Sequence, residues 1–544
     1  MAEKVYKPGE HYDYPLLIKK LLVTPLAFAP DREIVYRDKV RLTYRDFYER
    51  VHRLANALAR LGVKPGSTVG VMDYDSHRYL ECLFAIPMMG AVIHTVNWRL
   101  SPDQVLYTIN HAEDDIILVH ADFLPLLEAV RDKVVTKTFV LITDEGPVES
   151  KISFAAEYEA MLKDAPAHYD FPDLDENTRA TTFYTTGTTG LPKGVFFSHR
   201  QLMLHTLCGG LALGSYDSPC RFRSGDVYMP LTPMFHVHAW GVPFLATLLG
   251  VKQVYPGRYE PEMLLKLILT EKVTLSHCVP TILHMLVSNP VVKKLDLSKW
   301  KVVIGGARLP KALAQATMDL GIEVYSGFGM SETCPIISLA TLKPEMMSWD
   351  KARKVDYVIR TGMPIPLVEV DIVDPMGKSL PRDGKATGEL VMRTPWLTNG
   401  YYKDPEQSKN LWSGGWLHGG DVAYIDPEGY IQITDRIKDV IKTGGEWISS
   451  LDLENTLGQH PDVSETAAIG IPDSKWGERP MMLVVLRPDA KATPEELKAF
   501  MQKFVDSGKI PKYGLPDRYE IVPEIPKTSV GKVNKVKLRQ MYIK

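Results

Sequence analysis

The chain carries no surplus of either charge. Across 544 residues, 64 Lys plus Arg stand against 66 Asp plus Glu, a net charge of −2. A general nucleic-acid binder needs a basic excess to release counterions from phosphate, so the balance argues against that class. Cysteine is scarce as well. The five present (Cys82, Cys208, Cys220, Cys278 and Cys334) are odd in number, scattered and never spaced as CxxC. Neither a disulfide scaffold nor a zinc site is indicated. No apolar run approaches the roughly 18 residues that cross a bilayer. The opening MAEKVYKPGEHYDYPLL has no apolar stretch behind a basic start. A soluble, cytoplasmic protein with no stable membrane insertion is predicted. Internal repeats and low-complexity tracts are absent too.

What is present is ordinary globular material, 45% hydrophobic and 24% charged, in a chain too long for one core. The first part alternates helix and strand. Phe47, Val51, Leu54, Leu58 and Leu61 fall at helical spacing and Gly62 stops that helix. The runs 67–72, 91–96, 116–119 and 139–142 read as strands, with helices at 79–89 and from Ser101. Such alternation predicts parallel sheets with helices on their faces. A polar connection at 163–180 follows, then more alternation: Lys252–Tyr255, Met263–Leu269, Leu275–His277, Val302–Ile304 and a helix over 310–320. From about Pro364 to Ile433, short strands between Gly, Pro and Asp turns suggest a small antiparallel barrel or sandwich. A boundary is expected near Asp435 to Asp439, before a compact region with a basic tail.

The most informative stretch is TTFYTTGTTGLPKG, Thr181 to Gly194. Gly187, Gly190 and Gly194 permit close backbone approach, Thr185, Thr186, Thr188 and Thr189 offer hydroxyls, and Lys193 adds charge. Backbone N–H groups, hydroxyls and one lysine together make a phosphate cradle. It is not a Walker A loop, because Pro192 precedes the lysine and Gly194 follows it.

This loop is similar to the signature of the adenylate-forming superfamily, which includes acyl-CoA synthetases, aryl-CoA ligases, luciferases and peptide-synthetase adenylation domains. The likeness continues in order through PMFHVHAW (233–240), GGA (305–307), YSGFGMSET (325–333), GEL (388–390), GWLHGGDVAYID (415–426), DRIKDVIKTGGEWIS (435–449) and PKTSVGK (526–532). Among subfamilies the text most resembles medium- and long-chain fatty acyl-CoA synthetases. The implied fold is α/β. A large N-terminal domain (1–435) would hold two βαβ-type subdomains plus a small β-barrel, with a hinge at 436–438 and a small mobile α+β C-terminal domain (439–544). The implied reaction has two steps: a carboxylate attacks the α-phosphate of ATP, giving acyl-AMP and pyrophosphate, and coenzyme A then displaces AMP.

The resemblance also implies roles. Glu332 would hold Mg2+ with the hydroxyl of Thr185 or Thr186, in keeping with magnesium's preference for hard oxygen and few protein ligands. Asp421 would accept the ribose hydroxyls, with Arg436 as second contact; the plainer reading has Asp421 capping a turn and Arg436 paired to Asp439. Gly305, Gly306 and Ala307 leave a slot for adenine against Tyr325, and Gly327, Phe328, Gly329, Met330 and Ser331 complete that wall. Lys532 is singled out as the lysine bridging the attacking carboxylate and the α-phosphate, although on charge pattern alone it is one of several tail lysines. Lys438 matches the hinge. Rotation there would present Lys442, Gly444, Gly445, Glu446 and Trp447 to nucleotide and CoA. The PKTSVGK context also resembles a site of reversible lysine acetylation.

For the acid, His236 stands where amino-acid-activating relatives place an aspartate, which argues against an amino-acid substrate. Gly329 replaces the tryptophan that floors the pocket of acetate-specific relatives, and Gly241, Gly305 and Gly327 add room, so a deep pocket and a medium- or long-chain acid, longer than propionate, are expected. Trp240 falls where long-chain enzymes gate an acyl tunnel, while plain packing of His236, His238 and Trp240 is the simpler reading. Aryl, branched and thioether-containing acids stay open as alternatives, because each buried methylene is worth only ~0.8 kcal/mol. A non-catalytic nucleotide-binding regulator would be expected to have lost Lys193, Glu332, Asp421, Arg436 or Lys532, and all are present. Relatives are often dimers through the large domain, which makes a homodimer the analogy for this chain.

Overall fold

The computed structural model describes residues 14–185, 191–216, 221–443, 446–527 and 533–543, with backbone alone at 446 and 447. The helix expected from residue 44 spans Tyr44–Arg60, and its start is fixed locally. The Thr43 hydroxyl accepts the Asp46 N–H while the Asp46 carboxylate takes the Thr43 N–H, a reciprocal cap for two otherwise orphaned donors. Ser101 and Gln104 cap Pro102–Ala112 in the same way.

Two large sheets dominate the N-terminal part. In the seven-stranded sheet, Ala156–Glu157, Thr138–Ile142, Ile116–His120, Thr68–Met72, Val92–Thr95 and Arg179–Tyr184 run parallel, and Gly194–Ser198 closes the edge antiparallel. The nine-stranded sheet has a parallel centre running Glu323–Gly329, Lys301–Ile304, Leu275–Cys278, Val227–Leu231, Lys252–Tyr255 and Glu33–Tyr36. Strands buried on both faces read as continuous apolar runs, which is why these were visible in the sequence.

The segment expected as a small barrel forms a five-stranded antiparallel sheet of Glu369–Val373, Gly388–Arg393, Trp416–Ile425, Trp412–Ser413 and Ile431–Arg436. Its pairing among the described residues closes no ring. The ten-residue Trp416–Ile425 pairs with three neighbours, Gly388–Arg393, Trp412–Ser413 and Ile431–Arg436. A smaller α+β region follows. Its sheet runs Glu446–Ile448, Ile441–Thr443, Gly477–Leu486 and Val463–Asp473, with Arg518–Ile521 added parallel to Gly477–Leu486. Among the described residues no helix is long and apolar enough to cross a membrane.

Candidate active site

The C-terminal ends of the parallel strands open into a cleft of about 1760 Å³, walled by both the N-terminal sheets and the C-terminal region. Strand ends are where an open α/β sheet leaves a crevice for a ligand.

The first wall is the base of the glycine–threonine loop. The Thr185 N–H donates to the Lys193 carbonyl at 2.9 Å, and the Lys193 N–H donates to the Thr185 hydroxyl at 3.4 Å. This pair pins the two ends of the loop. Thr186, Gly187, Thr188, Thr189 and Gly190 lie outside the described residues. The Lys193 ammonium donates to Gln407 Oε1 at 3.0 Å and sits 4.6 Å above the Tyr401 ring.

The second wall is the end of Glu323–Gly329 and the short turn Ser331–Thr333. Strand alternation sends Ser326 and Phe328 to the cleft and Tyr325 into the core. Tyr325 therefore does not supply the aromatic face expected for adenine; Phe328 lines the wall instead. Glu332 is buried. Its Oε1 accepts the Tyr401 hydroxyl at 2.7 Å, and its backbone carbonyl accepts the Thr398 N–H at 3.0 Å.

Gly329 has a different job from the one expected of it. A Cβ there would lie 1.9 Å from the Pro335 carbonyl oxygen, so glycine is required by backbone approach at a bulge, on a stretch that lines the cleft. Gly305 bears on the pocket, since a Cβ would meet Trp240 Cη2 at 2.8 Å. The Trp240 indole is buried against that glycine and stacks on His277, with centroids 4.9 Å apart. The segment carrying it is unusual. Val237, His238, Ala239 and Trp240 have φ of 48°, 55°, 48° and 59°, and Gly241 follows at 72°. A run of left-handed residues with side chains costs about 1–2 kcal/mol each. No sequence signal announces it, because the only glycine comes last. His236, just before the turn, lines the cleft. His238, inside it, is fully buried among Phe183 and Phe244, and burial first, then His205 and His236, pushes its imidazole down to about 3.

The third wall comes from neighbouring antiparallel strands. Asp421 and Arg436 are partners in register, with Arg436 Nε 3.0 Å from Asp421 Oδ1. Asp421 raises the Arg436 guanidinium further above its ordinary value, with Glu332 adding to the effect beyond the opposing effect of burial. Asp439 pairs with Arg539 at 2.8 Å, leaving Arg436 to Asp421. Lys438 lines the cleft, and burial and the neighbouring Arg436 lower its ammonium. Gly306 and Ala307 also line the cleft. Lys442 does not; it is exposed on Ile441–Thr443, its N–H held by Glu478 at 2.9 Å. Gly444, Gly445 and Lys532 lie outside the described residues, as do the side chains of Glu446 and Trp447. Lys527 and Val533, which flank the Lys532 segment, bridge each other and line the cleft.

Two features were missed from sequence. Tyr401 joins the loop lysine to Glu332, and its motif-free setting (NGYYKD) gave no signal. Arg308, directly after the small-residue slot, reaches Asp452 of the helix Ser450–Leu457 at 2.9 Å and ties the C-terminal region to the cleft rim.

Residues 25–402 match the family model described as AMP-binding enzyme, and 452–532 match that of the AMP-binding enzyme C-terminal domain. The chain belongs to the AMP-binding enzymes. It is 40% identical to a long-chain-fatty-acid–CoA ligase of Thermus thermophilus, over 98% of this chain and 97% of the relative. It is 36% identical to a 3-methylmercaptopropionyl-CoA ligase of Ruegeria lacuscaerulensis, over 98% of each. The crystal structure of the anthranilate CoA ligase AuaEII with anthranoyl-AMP is similar with a TM-score of 0.85, at 25% identity over 97% of this chain and 98% of that one. As a member of this family the chain is an adenylate-forming ligase that activates a carboxylic acid with ATP, forming AMP.

Proposed function

We propose that the chain joins a compact carboxylic acid, branched or carrying a thioether, to coenzyme A. In the first half-reaction a carboxylate oxygen bonds to the α-phosphorus of ATP and pyrophosphate leaves. In the second, the thiol sulfur bonds to the acyl carbon, AMP leaves and the thiol proton is lost. The first step collects charge on phosphate oxygens and the second on the acyl oxygen and the departing AMP, so the protein's task is positioning and charge. Lys193 and the Thr185 hydroxyl would serve the phosphates, Asp421 would accept the ribose hydroxyls, and Arg436 holds Asp421 in place.

Among the described residues no cluster of three or more His, Cys, Asp or Glu side chains could hold a metal by itself. A buried carboxylate such as that of Glu332 suits magnesium, which takes one or two protein oxygens and completes its shell with phosphate and water. Glu332 and Thr185 are the groups that would hold it, and its charge would ease the departure of pyrophosphate. Lys532 would bring its ammonium to the carboxylate and α-phosphate, with residues 436–438 as hinge between 1–435 and 439–544. Lys438→Pro should then spare adenylation far more than thioester formation; equal loss of both would contradict the hinge.

The observation that supports a compact acid is the Trp240 indole, wedged between Gly305 and His277. Two 3-methylmercaptopropionyl-CoA ligases at 36% and 37% identity and a 2-methylpropanoate–CoA ligase of Humulus lupulus at 31% support the same choice. A longer fatty acid is the second reading, favoured by the apolar wall of Leu213, Leu275, Val287 and Val303 and by the Thermus relative. Thioester formation from acetate, 2-methylpropanoate, 3-(methylthio)propanoate, benzoate, octanoate and palmitate tests the choice. The highest kcat/KM is expected with the branched or thioether acid, and a clear preference for palmitate would reverse it.

A further inference from the structure

Tyr401 is held more firmly than a surface aromatic needs to be. Its N–H donates to the Ser408 hydroxyl at 2.8 Å. Gly400 before it permits this, since a Cβ there would lie 2.7 Å from Ser408 Oγ. The residue bridges Val195, and the following Tyr402 N–H donates to the Gly194 carbonyl at 2.8 Å. The backbone of Tyr401 is thus fastened to the strand that leaves the glycine–threonine loop.

From this fixed point the side chain makes two contacts of opposite sign. The hydroxyl donates to Glu332 Oε1 at 2.7 Å, and the ring face lies 4.6 Å from the Lys193 ammonium. A carboxylate oxygen bonded to one donor still leaves the second oxygen for another partner, and the bond removes the side chain's freedom to rotate away. The ring's negative face holds the lysine by a cation–π contact.

The geometry points to Tyr401 as a positioning residue that sets the Glu332 carboxylate and the Lys193 ammonium in register at the phosphate end of the cleft. The role rests on the reading of Glu332 as the magnesium carboxylate. A hydroxyl that only filled space would affect melting and leave magnesium dependence alone.

The test is calorimetric titration of a non-hydrolysable ATP analogue at a series of magnesium concentrations, for the wild type, Tyr401→Phe, Glu332→Gln and the double variant, with melting temperatures alongside. Tyr401→Phe keeps the ring and removes only the hydroxyl. It is expected to raise the magnesium concentration for half-maximal binding by about 10-fold, and in the Glu332→Gln background to add nothing, since both changes act through one carboxylate. Tyr401→Leu should in addition weaken analogue binding at saturating magnesium through loss of the Lys193 contact. If Glu332→Gln abolishes magnesium dependence while Tyr401→Phe leaves it unchanged, or if the two effects add, the positioning role is overturned and the Glu332 reading stands. If Glu332→Gln has no effect on magnesium dependence, the metal reading fails and the positioning role falls with it.

Discussion

Asp421 and Arg436 face each other across two antiparallel strands, guanidinium Nε to carboxylate Oδ1 at 3.0 Å, with the aspartate buried. The pair orients an acceptor toward the cleft where a ribose would lie. Asp421→Asn keeps the shape, removes the charge that Arg436 answers, and turns one acceptor into a donor. A charged hydrogen bond of this kind contributes about 1.5–3 kcal/mol. The KM for ATP should rise by one to two orders of magnitude while the KM for the acid changes little. Equal effects on both would argue against a ribose contact.

Trp240→Ala should move the acid preference toward longer chains. The indole occupies the space a Gly305 side chain would need, so its removal empties the pocket on that side. Each further methylene that fills the space should gain about 0.8 kcal/mol. The variant's kcat/KM profile over straight-chain acids should therefore peak later than the wild type's. An unchanged profile would show that the indole does not limit chain length.

Arg308→Ala tests the tie between the cleft rim and the C-terminal region. Arg308 and Asp452 are partly exposed, 24% and 54%, so their pairing is worth at most about 1 kcal/mol and melting should barely move. The C-terminal region should nevertheless leave its observed position more often. Limited proteolysis is expected to cut faster between 436 and 449, and the ratio of adenylation to thioester rates should change. Identical cleavage in both proteins would contradict this.

Asp75 offers a pH test away from the chemistry. Its carboxylate accepts the Met234 N–H at 2.7 Å and the Tyr259 hydroxyl at 2.5 Å, so it anchors the strand end that leads to His236. Burial lifts the carboxyl to about 7. An unfolded aspartate titrates near 3.9. Between about pH 4 and pH 7 the folded chain thus holds a proton that the unfolded chain has lost, and stability falls as pH rises through that window. The difference in melting temperature between wild type and Asp75→Asn should favour the wild type most at acid pH, shrink up to about pH 7 and then level off. A constant difference would place the Asp75 titration elsewhere.

Much of the fold was legible because its strands are buried on both faces and its helices carry local caps, as at Thr43–Asp46 and Ser101–Gln104. Several residues that line the cleft, Lys193, Glu332 and Asp421 among them, were legible because glycines, a lysine and acids cluster in short motifs. Long-range geometry was not. Gly329 looked like an opened pocket floor, yet its missing Cβ answers the Pro335 carbonyl. Tyr325 looked like an adenine face, yet strand parity turns it inward. Tyr401 sits far along the chain from Glu332, and a contact between residues so separated leaves no trace in either one's neighbours. The left-handed turn at Val237–Gly241 runs against the preference of every side-chain-bearing residue in it. His238 packs there against Phe183 and Phe244, and Trp240 against His277.

The most direct test of the central claim is pyrophosphate release from ATP by purified protein, with magnesium, in the presence and absence of carboxylic acids and without coenzyme A. Release that depends on the acid and on magnesium, that falls in Asp421→Asn at ATP concentrations below its raised KM, and that is lost in Glu332→Gln, is the expected result. ATP cleavage that ignores the acid, or that yields ADP and phosphate in place of AMP and pyrophosphate, would contradict it.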